Sequence, residues 1–171
     1  MCLGFERSQF RINVEHSWSP LGVDRLLELV RSDFFTDMVM YRVLPGFLIQ
    51  FGVASDPKVQ ERWQTATIKD EPNQRPFQRG TVSFAGAGTD SRSCHIFVAL
   101  DPNGRQLGHS PHETTLGYVE NMEAFEQVAD NFQAAGYGDT GELQQALVQL
   151  GNRAADQYPR LDRIHNCSVA W

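Results

Sequence analysis

Between Tyr41 and Gly52 the chain reads Tyr41-Arg42-Val43-Leu44-Pro45-Gly46-Phe47-Leu48-Ile49-Gln50-Phe51-Gly52. One arginine and one glutamine stand in an otherwise apolar run broken by a Pro-Gly turn. Strand alternation sends Tyr41 and Val43 to the face opposite Arg42, and the turn lets Phe47 and Gln50 return toward the same region. A guanidinium stays charged and offers a rigid planar fork of donors, so Arg42 held there would be a fixed cation beside aromatic surface. The same residues also suit an arginine at a sheet edge, its stem laid over apolar surface and its head in water. Spacing alone leaves both readings open.

Other chemistries are poorly supplied. His109 and His112 lie three apart around Ser110-Pro111, which reads as a loop, and no H-E-x-x-H or cysteine partner accompanies them, so neither a metal nor another cofactor is expected. Cys2, Cys94 and Cys167 form no C-x-x-C pair and no disulfide framework; they read as reduced packing residues, with a Cys94–Cys167 contact as the alternative. The formal charge of −6 and the lack of a basic run argue against a nucleic-acid partner. No apolar stretch is long enough for a membrane span. The opening MCLGFERSQF has no basic segment followed by an apolar one, so no signal peptide is expected and the reading is cytoplasmic.

The elements that must position Arg42 follow from periodicity. A length of 171 residues with 41% apolar composition fits one domain over 1–171 with one sizeable core. Gln9 to Val14 alternates as a strand. Ser19 offers an N-cap oxygen, Pro20 suits the first helical position, and Val23, Leu26, Leu27 and Val30 form one helical stripe. Met38 to Phe51 reads as two strands flanking the Pro45-Gly46 turn. Asp56 to Gln78, with three prolines, reads as a long irregular connection. Thr81–Phe84, Ile96–Leu100, Thr115–Val119 and Ile164–Trp171 read as strands, with a turn at Asp101-Pro102-Asn103-Gly104. Helices are expected from Glu123 to about Phe132, and through Leu143, Ala146, Leu147 and Leu150 to a stop at Pro159, weakened by Gly151. The fold class is mainly β, a closed antiparallel sheet capped by helices.

At this point three ordered blocks resemble the cyclophilins, the peptidyl-prolyl isomerases. Tyr41 to Gly52 is similar to their F-H-R-(V/I)-(I/L)-P-G-F-(M/L)-(I/C)-Q-G-G signature, Thr81 to Gly88 with Ser91 to Val98 to a second, and Leu116-Gly117-Tyr118-Val119-Glu120-Asn121-Met122 to a third. The segment from about 138 to 160 resembles a helical insertion of a divergent plant and marine-microbial branch. The resemblance implies an eight-stranded barrel with two to three helices and an isomerase that turns X–Pro bonds and assists protein folding. The alternative is a weakly active or inactive proline-peptide-binding module, or a structural subunit of a larger assembly.

The resemblance also assigns roles. Arg42 becomes the donor to the twisted imide, Gln50 orients it, and Phe47, Leu48, Phe97 and Leu116 line a shallow proline pocket. Ala85-Gly86 holds the flanking peptide, with Gly86 in place of the usual asparagine. His95 stands where glutamine is usual, either as a titrating imidazole or as a core-facing packing residue. Gln106-Leu107 falls where the family has a tryptophan, so cyclosporin-type ligands should bind weakly. His112 is the candidate for the family histidine, and the register could equally put Glu113 there. The implied partners are proline-containing segments of client proteins, met by a monomer.

Overall fold

The computed structural model describes residues 2–4, 9–101, 103 and 106–170. Strands β1 (Cys2–Gly4), β2 (Gln9–Val14), β4 (Arg42–Leu44), β5 (Leu48–Phe51), β6 (Thr81–Phe84), β7 (Ile96–Ala99), β8 (Gly117–Val119) and β10 (Asn166–Ser168) form one antiparallel sheet. Its order is β10-β1-β2-β8-β6-β7-β5-β4, and a separate pair joins β3 (Met38–Val39) to β9 (Arg163–Ile164). The α-helices are α1 (Pro20–Arg31), α2 (Pro57–Gln64), α3 (Glu123–Ala134) and α4 (Leu143–Leu150). None of them is long and apolar enough to cross a membrane.

The register of four adjacent strands decides what each sheet face carries. Val43 lies opposite Ile49, Ile49 opposite Val98, and Val98 opposite Val82. That row is fully buried in the main core. The next row runs Arg42, Gln50, Phe97, Ser83. Successive strand residues point to opposite faces, so burying the aliphatic row turns the polar and aromatic row to the other face, where Arg42 alone is partly exposed.

Several elements differ from the reading of the sequence. Asp56–Gln78 is not irregular throughout: Asp56 accepts from the Lys58 N–H at 2.9 Å and Pro57 takes the first helical position, which starts α2. Only Gln60 and Trp63 of that helix are buried, so it carries no apolar stripe to betray it. Helix α4 ends at Gly151 (φ +61°), and a 3₁₀ segment, Gly151–Gln157, runs on toward Pro159. The closing strand is split into β9 and β10 at His165; Trp171, and Pro102 and Gly104 of the expected turn, lie outside the described residues. Cys94 and Cys167 are both free thiols.

Ser19 does not cap α1. Its hydroxyl donates instead to Glu71, whose carboxylate accepts the Leu21 N–H at 2.8 Å and the Gly22 N–H at 3.1 Å. The carboxylate therefore supplies the anion that a helix N-terminus favours. Glu71 also takes Arg92 Nη2 at 2.9 Å, and Arg92 is fully buried, bonded as well to Lys69 O. Removing one partner of a buried ion pair costs about 3–5 kcal/mol; of its carboxylates Arg92 would keep only the more distant Asp70, 3.9 Å from its Nε, which sets the lower end of that range. Glu71→Ala is therefore expected to lower the urea unfolding free energy by roughly that amount; a change below about 1 kcal/mol would contradict the role given to this carboxylate.

Candidate functional site

Arg42 and Gln50 are direct cross-strand partners, which brings Arg42 Nη1 to 3.4 Å from Gln50 Oε1. That contact is long for a hydrogen bond. The tight hold comes from elsewhere. Asp139, 97 positions away, accepts Arg42 Nε at 2.9 Å and Nη2 at 3.0 Å, a fork-to-fork pair. The hydrogen bond to Asp139 raises the Arg42 pKa above its ordinary value, and the reciprocal bond holds the Asp139 carboxyl below the usual carboxylate range. The Arg42 side chain keeps 30% of its surface exposed, so the cation is fixed yet reachable.

Beside it lies a second, smaller apolar cluster on the outward face: Leu48, Phe97 and Ala99 from the strands, with Phe77 and Leu107 packed over them. The Phe77 and Phe97 rings sit 6.1 Å apart at 40°. Phe97 is only 3% exposed, so it forms a floor; Phe47 and Ala85 are the partly buried rim. Phe77 and Leu107 belong to the cluster but not to the set expected from sequence. Leu116 is a correction in the other direction. It is fully buried in the main core, where its side chain occupies the space beside Gly22 of α1, and it does not reach this cluster.

Ala85 donates its N–H to His95 O at 2.9 Å, so the β6–β7 pairing extends one residue past Phe84 and Gly86 follows beyond it. Gly86 is exposed on one side, while a Cβ added to it would lie 2.8 Å from His112 Cγ. The Ser91 hydroxyl, 2.6 Å from that Cβ, and the His112 side chain together fill the room that a side chain at 86 would need. Among the described residues His112 Nδ1 has no hydrogen-bond partner. Glu113 is engaged elsewhere, with its Oε2 accepting the N–H groups of Gly108, His109 and Ser110 at 2.8, 2.9 and 3.1 Å. His112 thus lies against Gly86, and Glu113 ties the loop that carries Leu107. His95 lines a polar groove of about 410 Å³ with Gln64, Ser93, Gln144, Gln145 and Val148, away from the Phe97 cluster.

Asp139 and Phe77 carried no signal in the sequence. An aspartate after Gly136-Tyr137-Gly138 looks like any turn residue, and a phenylalanine among prolines looks like isolated surface. Only the long-range pairing brings them in.

Residues 3–158 match the family model described as "Cyclophilin type peptidyl-prolyl cis-trans isomerase/CLD". A peptidyl-prolyl cis-trans isomerase A of Dickeya dadantii is 26% identical over 117 residues, which is 64% of this chain and 62% of that protein. A peptidyl-prolyl cis-trans isomerase of Synechococcus elongatus is 26% identical over 123 residues, 72% of this chain and 81% of the other. The chain thus spans about three fifths of the first relative and four fifths of the second. In fold it is similar to a Cryptosporidium parvum cyclophilin type peptidyl-prolyl cis-trans isomerase crystallised in the presence of the dipeptide Ala-Pro. That likeness has a TM-score of 0.61 and 16% identity, covering 76% of this chain and 85% of that one.

The one histidine with a large shift is His95. Burial lowers its pKa from 6.5 to about 4, and its Nδ1 meets the buried Tyr41 hydroxyl at 3.4 Å. The folded protein therefore keeps this imidazole neutral while the unfolded chain takes a proton as pH falls below 6.5. Stability must decline between those two values, at up to about 1.4 kcal/mol per pH unit. In urea unfolding at pH 7 and pH 4.5, the wild type should lose roughly 2 kcal/mol more than His95→Gln does. Equal losses in the two proteins would contradict an imidazole kept neutral by the fold.

Proposed function

We infer the activity of this chain from its family and its site together: it belongs to the cyclophilin-type peptidyl-prolyl cis-trans isomerase family, and its outward sheet face presents one fixed guanidinium beside one aromatic floor. It catalyses rotation about X–Pro peptide bonds. The observation that carries this reading is the cross-strand row Arg42–Gln50–Phe97, which sets the cation and the apolar surface side by side.

Nothing need be broken or made in this reaction. Resonance keeps the X–Pro amide planar behind a barrier of about 18–20 kcal/mol, while cis and trans differ by only about 0.5–1 kcal/mol. A catalyst has to hold the twisted amide more tightly than either planar form. On twisting, the proline nitrogen regains a localised lone pair. Arg42 donates to that nitrogen, and a preorganised charged donor stabilises it more than it stabilises the delocalised ground state. Gln50 backs the guanidinium on its Nη1 side. Phe47, Leu48 and Phe97 receive the pyrrolidine ring, which fixes the proline while the preceding carbonyl turns. Leu107 and Phe77 form the packing around that floor.

The peptide on either side of the proline is held by main-chain hydrogen bonds to Ala85-Gly86, a mode that reads little side-chain sequence. His112 borders that segment beside Gly86. Clients are then exposed proline-containing segments of many sequences, bound weakly. Cyclosporin-type ligands bind poorly because Leu107 supplies no indole donor. The segment 138–160 works as part of the same domain, since it supplies Asp139.

The reading is tested by a protease-coupled assay on an Ala-Pro peptide. Arg42→Ala should lower kcat/KM by about 10²–10³, the scale for loss of one preorganised charge-stabilising donor, with an unchanged folded circular-dichroism spectrum. Turnover equal to wild type would remove Arg42 from its role. A wild-type rate no faster than the uncatalysed one would leave a peptide-binding module in place of an enzyme.

A further inference from the structure

Among the described residues, the carboxylate that touches Arg42 comes from the segment leading into α4, not from the sheet. Asp139 is itself gripped: its Oδ1 also accepts the Gly141 N–H at 2.9 Å. Its neighbour Thr140 is buried and donates its hydroxyl to Tyr41 O, the carbonyl next to Arg42 in the chain. Gly141 packs so closely that a Cβ there would lie 3.3 Å from Arg42 Nε and 3.2 Å from Asp139 Oδ1. Three consecutive residues of this segment thus dock on the strand that carries the guanidinium.

Resting on the isomerase reading above, we propose that Asp139 is a positioning residue for the reaction: it fixes the plane of the Arg42 guanidinium so that the remaining donors face the substrate imide. A guanidinium has five N–H groups. Asp139 takes two and Gln50 takes one, leaving one on each terminal nitrogen. The twisted nitrogen needs a single donor, so substrate binds without displacing Asp139, and the contact is a brace and not a latch. Gln50 at 3.4 Å is too weak to do this alone. The brace also suits the chemistry, because a displacement of about 1 Å at a reacting group can cost about 10²-fold in rate.

The test is a double-mutant cycle on kcat/KM with one Ala-Pro peptide, together with the Arg42 Nε–H signal in ¹⁵N NMR. Asp139→Ala should lower kcat/KM by about 10- to 100-fold with KM little changed. Asp139→Asn, which keeps one acceptor, should fall between it and wild type. In an Arg42→Ala background, Asp139→Ala should cause no further loss, since there is nothing left to position. The Nε–H proton, slow to exchange in wild type, should exchange rapidly in Asp139→Ala. A rate equal to or above wild type in Asp139→Ala overturns the proposal, the latter pointing to an inhibitory contact. So does an equal loss with and without Arg42, which would mean a general effect on the fold. Should wild type show no catalysis, the isomerase reading fails on its own account; a protected Nε–H lost in Asp139→Ala would then still establish the brace, and an unprotected one in wild type would overturn it.

Discussion

The site depends on one feature, the register of the four-strand ladder β4–β5–β7–β6. Each residue there faces its partner with the side chain on the same side, and the aliphatic row Val43, Ile49, Val98, Val82 has only one place to go. Its burial drives the neighbouring row outward. Arg42, Gln50 and Phe97 are therefore not gathered by mutual attraction; the guanidinium would be better solvated alone. They share a face because the core takes the alternate positions. A slip of one residue in any pairing would bury the cation and expose the valines, so foldability and chemistry enforce the same register.

What the ladder cannot supply is orientation. A long side chain on an outward face has several rotamers, and its partner Gln50 reaches it only at 3.4 Å. The chain meets this with contacts from distant segments. Asp139 fixes the guanidinium, Glu113 ties the loop that lays Leu107 over the apolar floor, and Phe77 packs against Phe97 from the segment before β6. At Gly86 the absence of a side chain and the presence of the His112 ring are two halves of one packing solution.

How far this was legible in the sequence follows from the range of each interaction. The run Tyr41–Gly52 announced its own turn, its alternation and its resemblance, and Arg42, Phe47, Leu48 and Gln50 were read from it. The stripe of α1 was clear because i, i+3, i+4, i+7 spacing is local. Helix α2 was hidden because it buries only Gln60 and Trp63, although Asp56-Pro57 was a start signal in plain sight. Leu116 was misplaced because position in a motif does not say which side of a twisted strand end a residue takes. The cap of α1 by Glu71, 50 positions on, and the hold of Asp139 on Arg42, 97 positions on, had no local trace at all. Exposed carboxylates are ordinary residues until the fold gives them a partner.

If a proline ring seats on the Phe97 floor with Arg42 at its imide, both partners must sense the peptide at once. A ¹H–¹⁵N and aromatic ¹H–¹³C NMR titration of the wild type with an Ala-Pro-containing tetrapeptide reads this. The expected result is a set of shifts concentrated on the Phe47 and Phe97 rings, the Arg42 Nε–H and the Ala85-Gly86 amides, with exchange broadening there as cis and trans interconvert on the protein. Shifts confined to the α2–α4 groove, or none at all at peptide concentrations that saturate other surfaces, would contradict that seating.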